Sequence, residues 1–168
     1  SRYRKLMKLP IGPLDTLQTR EFRSLVDAKM RGMRLAVGEY IRKEAGIHIK
    51  LYWLVDELDG IIADAKFHAV GPPSLLGAAE IACEFFMRKN YDQVRRIGAE
   101  LLDKQVRDKK EQEAFPKEEY ASLNAILEAA EMASLQCMDI PLSDSYVPTP
   151  MHHRWVTESL GLILIGKN

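Results

Sequence analysis

Two neighbouring stretches of the sequence alternate between apolar and polar side chains, and only a short turn separates them. The first stretch covers 47–56, the second covers 61–69, and residues 57–60 connect them. An alternation of period two is typical of a β-strand with one buried face. Because the connection is so short, the two strands must be antiparallel neighbours. The sequence therefore predicts a β-hairpin at the centre of the fold.

The alternation also predicts which side chains of the hairpin face the core. On the first strand the inward residues are Ile47, Ile49, Leu51, Trp53 and Val55. On the second strand they are Ile61, Ala63, Ala65, Phe67 and Ala69. The outward face is predicted to be polar, with Leu54 as an apolar exception. Its other residues are His48, Lys50, Tyr52, Asp56, Asp64, Lys66 and His68.

Around the hairpin the sequence predicts one more strand and several helices. The strand begins at Met33, where the apolar period changes to two. Helices are predicted over 15–32, after Pro73, after a capping box formed by Asn90 and Gln93, and after Pro116. The apolar residues at helical spacing include Leu75, Ala79, Ala82, Phe86, Leu123, Ile126, Leu127 and Ala130. The expected fold class is α+β, with a small three-stranded antiparallel sheet covered on one face by helices.

The same reading divides the chain into three segments. Residues 1–32 form an arm and a helix, 33–140 form the main domain, and 141–168 form an extension. The extension is loop-like over 141–150 and ends in an apolar run, 160–165, that is too short to cross a bilayer. The arm and the extension resemble appendages that dock on partners.

Charge and hydropathy exclude several classes of function. The chain has 24 basic and 24 acidic residues and a formal net charge of zero, so nucleic acid is not the expected partner. No apolar run reaches the length of a membrane span, and no charged and then apolar leader opens the sequence. The expectation is a soluble, cytoplasmic protein with no membrane partner.

The sequence carries no recognisable catalytic motif. It has no G-x-S-x-G, no glycine-rich phosphate loop and no H-E-x-x-H. Its two cysteines, Cys83 and Cys137, lie far apart in the chain and lack the spacing of a zinc site, so both are expected to be buried thiols. The chain is therefore predicted not to be an enzyme.

One continuous stretch, 32–94, has a specific order of elements and residues. Ala45 and Gly46 come directly before the strand 47–55, and Ala65-Lys66-Phe67 lies in the strand that leads to Gly71 and a helix. The segment 89–94 then reads Lys-Asn-Tyr-Asp-Gln-Val. In this order the chain resembles the NifU/IscU family of iron–sulfur cluster assembly scaffolds. The resemblance implies a SufE/NifU-like fold.

The resemblance also implies where the family's cluster ligands would lie in this chain. The family's three cysteines correspond to Ala45, Pro72 and Asn124, with a register error of one or two residues at Asn124. The aspartate beside the family's site corresponds to Ile47. Cluster assembly needs converging thiolates, because soft sulfur ligands hold the iron. None of these positions supplies one, so the fold is expected to be retained without its cofactor, the iron–sulfur cluster.

Three functions follow as hypotheses from the resemblance and the lost ligands. The first is a partner-binding or regulatory module of iron–sulfur cluster assembly that binds no cofactor, with a cysteine desulfurase or another assembly component as its partner. The second is an iron or cluster carrier that uses other ligands, such as His48, His68 or a cysteine from a second subunit. The third is a structural subunit of a larger complex.

Two histidines are the weak candidates for such other ligands. A turn centred on Leu58 would place His48 directly opposite His68, close enough for both rings to reach one metal ion. The alternative is that both rings sit on the polar face without a ligand. That alternative is favoured, because two ligands without a third make a weak site and no acidic residue is obviously placed nearby.

Overall fold

The computed structural model describes residues 32–106 and 120–150, together with the backbone of 154–158 and 161–165. The first sheet consists of β1 (Met33–Arg42), β2 (Ile47–Asp56) and β3 (Ile62–Val70), with a short 3₁₀ turn, Lys43–Ala45, between the first two. The helices are α1 (Pro73–Phe86), α2 (Tyr91–Arg95), α3 (Ala99–Val106) and α4 (Tyr120–Leu135). A second sheet consists of β4 (Arg154–Glu158) and β5 (Gly161–Ile165).

The three strands of the first sheet are antiparallel and lie in the order β1-β2-β3. The predicted α+β class and the central hairpin are therefore confirmed. The β4–β5 hairpin was not predicted, because its apolar run was too short to assign by periodicity alone.

The helices α1 and α4 cover one face of this sheet, and α4 packs against β1 and β2. The strand and the helix approach each other closely at Gly38 of β1. A Cβ atom added there would lie 1.7 Å from the carbonyl oxygen of Ala129. Only a residue without a side chain lets strand and helix approach so closely. Gly38 therefore sets the position of α4 over the sheet.

At the start of β3, the side chains that face the core are not the ones that the sequence predicted. Ile62 is fully buried, whereas Ile61 and Ala63 are exposed, the reverse of the prediction. The pairing register shifts between Leu54 and Val55, which marks a bulge. The bulge changes which residues face inward, so that Ala65, Phe67 and Ala69 follow the prediction and the residues before them do not.

The outward face of the sheet is less polar than predicted. Tyr52 and Leu54 are 4% and 5% exposed and form a small apolar cluster of their own. Met33, Leu35 and Val37 of β1 pack against this cluster. Leu54 is thus a member of a second apolar layer and not an isolated exception.

The predicted helices after β3 are present, with one interruption. Asn90 and Gln93 form the predicted capping box, in which each side chain accepts a hydrogen bond from the other's backbone N–H. The helix that follows ends at Arg95, and α3 begins only at Ala99, so one apolar pattern covers two short helices. The helix predicted over 15–32 and the predicted start at Pro116 lie outside the described residues. Within the described part of the chain, no helix has the length and apolarity to cross a membrane.

Candidate functional site

The connection between β1 and β2 lies beside the end of β3. Gly46 adopts the left-handed conformation, with φ of 64°, and so turns the chain from the 3₁₀ turn into β2. A Cβ built on Gly71 would lie 3.7 Å from both the carbonyl oxygen of Gly46 and the Cγ1 atom of Ile47. We call this region, residues 43–47 and 70–73, the site end of the sheet. It brings Ala45, Ile47 and Pro72 into one neighbourhood.

These three residues have different exposures. Ala45 and Pro72 are exposed, and Pro72 is the residue that precedes the first turn of α1. Ile47 is 4% exposed and belongs to the main hydrophobic core. The methyl group of Ala45 and the ring of Pro72 have no donor atom, and the side chain of Ile47 is engaged in packing.

The fourth position, Asn124, lies near the start of α4. This helix runs antiparallel to β1, because Gln136 bonds to Val37 whereas Met132 bonds to Glu39, further along the strand. Its N-terminal part is therefore directed towards the site end. Asn124 precedes Ala129 by five residues, however, which is about 140° around the helix from the surface that contacts β1. Asn124 thus lies on a different side of α4 from the contact with β1.

Asn124 is nevertheless buried. It is 6% exposed, and among the described residues neither its amide nitrogen nor its amide oxygen has a hydrogen-bond partner. Its oxygen would be a hard ligand and a poor substitute for a thiolate. The residues at the four positions do not fit an iron–sulfur cluster, because none supplies soft sulfur.

The two cysteines lie in another part of the molecule. We use the name far half for a second region of the molecule. It consists of residues 33–38 of β1, the turn 57–61, the start of β3 at 62–64, α2 and residues 129–146. Cys137 lies in the far half, where the charges of Arg34 and Asp139 act on the pKa of its thiol. Cys83 lies near Asp64. Both are fully buried, as predicted, and burial raises the pKa of each thiol, that of Cys137 to about 11. Neither can complete a ligand set with Ala45 and Pro72.

A comparison with protein families matches residues 20–134 to the NifU-like N-terminal domain. The chain belongs to this family. The match covers more than half of the sequence and confirms the resemblance found over 32–94. A comparison with curated proteins found no significant match. Membership links this NifU-like chain to iron–sulfur cluster assembly.

The histidine pair of this NifU-like domain is not arranged as predicted. His48 pairs with Val70, and His68 pairs with Lys50, so the two histidines are diagonal neighbours and not directly opposed. The predicted register was wrong because the numbers of paired residues sum to 117 next to the turn, as in Val55 and Ile62, and to 118 beyond the bulge, whereas the prediction assumed 116. Side chains in diagonal positions are about 7–8 Å apart at their Cα atoms, further than a directly opposed pair.

The structure also places an acidic residue beside His48, which sequence reasoning missed. The Oε2 atom of Glu39 lies 2.8 Å from Nε2 of His48. Glu39 belongs to β1, and only the register between β1 and β2 brings it there. Burial, together with the nearby His48 and Lys50, lowers the pKa of His68, and its Nδ1 atom has no hydrogen-bond partner in the part of the chain that the structure describes. Even so, the described residues contain no group of three or more potential ligands arranged to hold a metal ion.

Proposed function

We propose that this protein is a non-catalytic, cluster-free member of its family that acts in iron–sulfur cluster assembly by binding a protein partner. A cysteine desulfurase, or another assembly component, is the expected partner. The observation that carries the proposal is the convergence of Ala45, Ile47 and Pro72 at the site end without a donor atom among them. The fold of the scaffold is kept, and the groups that do its chemistry are replaced.

The exposure of the site end supports a role in binding. Ala45 and Pro72 are exposed, and Ile41 near the end of β1 is 48% exposed. Apolar side chains in this position can be covered by a partner, at a gain of about 25 cal/mol per Å² of apolar surface buried. A surface that no longer holds iron can still present the same shape to the proteins that serve a scaffold.

Anaerobic reconstitution tests the loss of cluster chemistry. With ferrous iron, sulfide and a reductant, the protein is expected to remain colourless, because no thiolate set replaces the water ligands of iron. The matched variant Ala45→Cys/Pro72→Cys should gain tight cadmium binding, seen as thiolate-to-metal absorption in the ultraviolet. A stoichiometric visible absorption band in the unmodified protein would contradict the proposal.

Partner binding is tested by titrating the protein with a purified cysteine desulfurase in a calorimeter. Ala45→Glu and Pro72→Glu should each weaken binding about tenfold, since a charge would have to be desolvated in the interface. Leu58→Glu is the matched control, because Leu58 is 84% exposed in the turn of the far half. Equal effects at all three positions would place the interface elsewhere, and no binding would remove this partner.

The second candidate function is an iron carrier based on the histidines. It is favoured by the Glu39 carboxylate beside His48 and by the buried, unpartnered Nδ1 of His68. The lowered pKa of His68 keeps its ring neutral, which is the form that binds metals. Titration with zinc and ferrous iron tests it: micromolar binding that is lost in His48→Ala/His68→Ala would favour the carrier over the partner-binding protein.

A further inference from the structure

The strand β1 forms one edge of the three-stranded sheet. At the middle of the strand, the backbone N–H and C=O groups on that side have hydrogen-bond partners. The N–H of Val37 donates to Oε1 of Gln136 at 3.0 Å, and Nε2 of Gln136 donates to the carbonyl oxygen of the same residue. One side-chain amide therefore makes both hydrogen bonds that a residue of a neighbouring strand would make.

The contacts around Gln136 hold it in this position. The Arg34 guanidinium donates to the backbone oxygen of Gln136 at 3.0 Å and forms a two-point ion pair with Asp139, while its Nε donates to Glu57. One turn earlier on α4, the sulfur of Met132 accepts a hydrogen bond from the N–H of Glu39 at 3.3 Å. The end of α4 is thus fixed along the outer side of β1.

The close packing at Gly38 makes the reach of Gln136 possible. Because the strand and the helix backbone touch at Ala129, the side chain of a residue seven positions later extends just as far as the strand edge. The side-chain amide of glutamine contains an N–H donor group and a carbonyl acceptor, as a backbone peptide group does. An aspartate or a lysine would supply only one of them.

An edge strand without such protection is a template for pairing with another chain. We propose that Gln136 is a latch on the β1 edge of the sheet formed by the described strands, and that its amide takes the place of a neighbouring strand and keeps β1 from pairing with β1 of a second copy. The latch sits away from the site end, and it operates whether or not the site end binds a partner.

Two measurements on the full chain test the latch. In Gln136→Ala, the amide hydrogen of Val37 should exchange with solvent about tenfold faster, which corresponds to the loss of one net hydrogen bond. Sedimentation velocity over a range of concentrations should show stronger self-association than in the unmodified protein. Gln105→Ala is the matched control, since Gln105 is an exposed residue of α3. Unchanged Val37 exchange, or unchanged association, would overturn the proposal.

The variant Gln136→Glu separates the latch from a general loss of stability. A carboxylate can accept from the N–H of Val37 but cannot donate to its carbonyl, so this variant should associate at neutral pH. Near pH 4 the introduced carboxyl group becomes protonated, regains a donor and should reverse the association. Gln136→Ala should not recover at that pH. Association of Gln136→Glu that persists when the carboxyl is protonated would refute the latch.

A second substitution shows whether association runs through β1. Ile41 is exposed on this strand, and a lysine on an edge strand discourages pairing. The double variant Gln136→Ala/Ile41→Lys should therefore associate no more than the unmodified protein. If it associates as strongly as Gln136→Ala, the contact uses another surface and the proposal fails.

Discussion

The two ends of the sheet differ in how strongly the structure depends on their side chains. At the site end, Ala45 and Pro72 are exposed and make no polar side-chain contact. In the far half, Arg34 links three acceptors, Tyr91 donates to the carbonyl of Ile140, and the carboxylate of Asp92 binds two arginines and a tyrosine. The side-chain hydrogen bonds and ion pairs named here are thus concentrated in the far half.

If the proposed function is correct, this difference explains how the fold tolerates the replacement of ligands at the site end. The site end lies where the chain turns, and the side chains of Ala45 and Pro72 are exposed there and are not part of the core. Ile47 is the exception, because its side chain belongs to the main hydrophobic core. Substitutions should therefore have large effects on stability in the far half and small ones at the site end.

Gly38→Ala is expected to have the largest effect. The added Cβ would overlap the carbonyl oxygen of Ala129, a backbone atom that can move only if α4 shifts away from β1. We expect a loss of about 3 kcal/mol in the free energy of unfolding, measured by urea denaturation. The control Gly77→Ala has nothing within 4 Å of its new Cβ and should stabilise α1 by about 0.5–1 kcal/mol. Similar effects of the two substitutions would mean that the close contact is not structurally important.

Asp92→Asn is expected to have an intermediate effect. Burial disfavours the charge of Asp92, but hydrogen bonds from Arg96, Tyr146 and Arg95 outweigh it and hold the pKa of this carboxyl below its ordinary value. Arg96 also donates to the carbonyl of Thr149, so that Asp92 helps to fix the segment after α4. The substitution should cost about 2 kcal/mol at neutral pH, as for hydrogen bonds to a charged group.

The pH dependence of this cost follows from the direction of the shift. Because the folded pKa is lowered, the stabilisation from Asp92 is fully present above the unfolded value, about 3.9, and is lost as the pH falls through the folded value. The stability difference between Asp92→Asn and the unmodified protein should shrink in that acidic range. Asp144→Asn, at an exposed position, is the control and should change stability by less than about 0.5 kcal/mol. A cost that does not depend on pH would show that the charge is not responsible.

The sequence predicted those features that depend on near neighbours. The alternation of β2, the apolar stripe of α1 and the capping box at Asn90 are local patterns, and each is present. The start of β3 was assigned wrongly because Ile61 and Ile62 are both apolar, so either could have faced the core. The bulge opposite Leu54 decides between them, and it has no signature in the sequence.

The features that sequence reasoning missed are contacts between distant residues. Glu39 reaches His48 only through the register of β1 and β2, and Gln136 reaches Val37 only because α4 lies close over Gly38. The position of Asn124 on α4 could be placed in the sequence, but the side of the helix that faces the sheet could not. The positions of charged and amide residues in the sequence do not show which of them will pair in the folded chain.

Ala45→Cys should have the smallest effect on stability and yet the clearest chemical one. Ala45 is exposed, so the substitution should change the free energy of unfolding by less than about 0.5 kcal/mol. A thiol there should react with a disulfide reagent at the rate of a free cysteine. The native thiols should react only when the protein opens, because both are buried and burial raises the pKa of each. Stopped-flow measurement should therefore find a fast phase in the variant alone. Fast reaction of the unmodified protein would show that the surroundings of Cys83 or Cys137 are open to solvent, and a slow thiol at position 45 would show that the site end is closed.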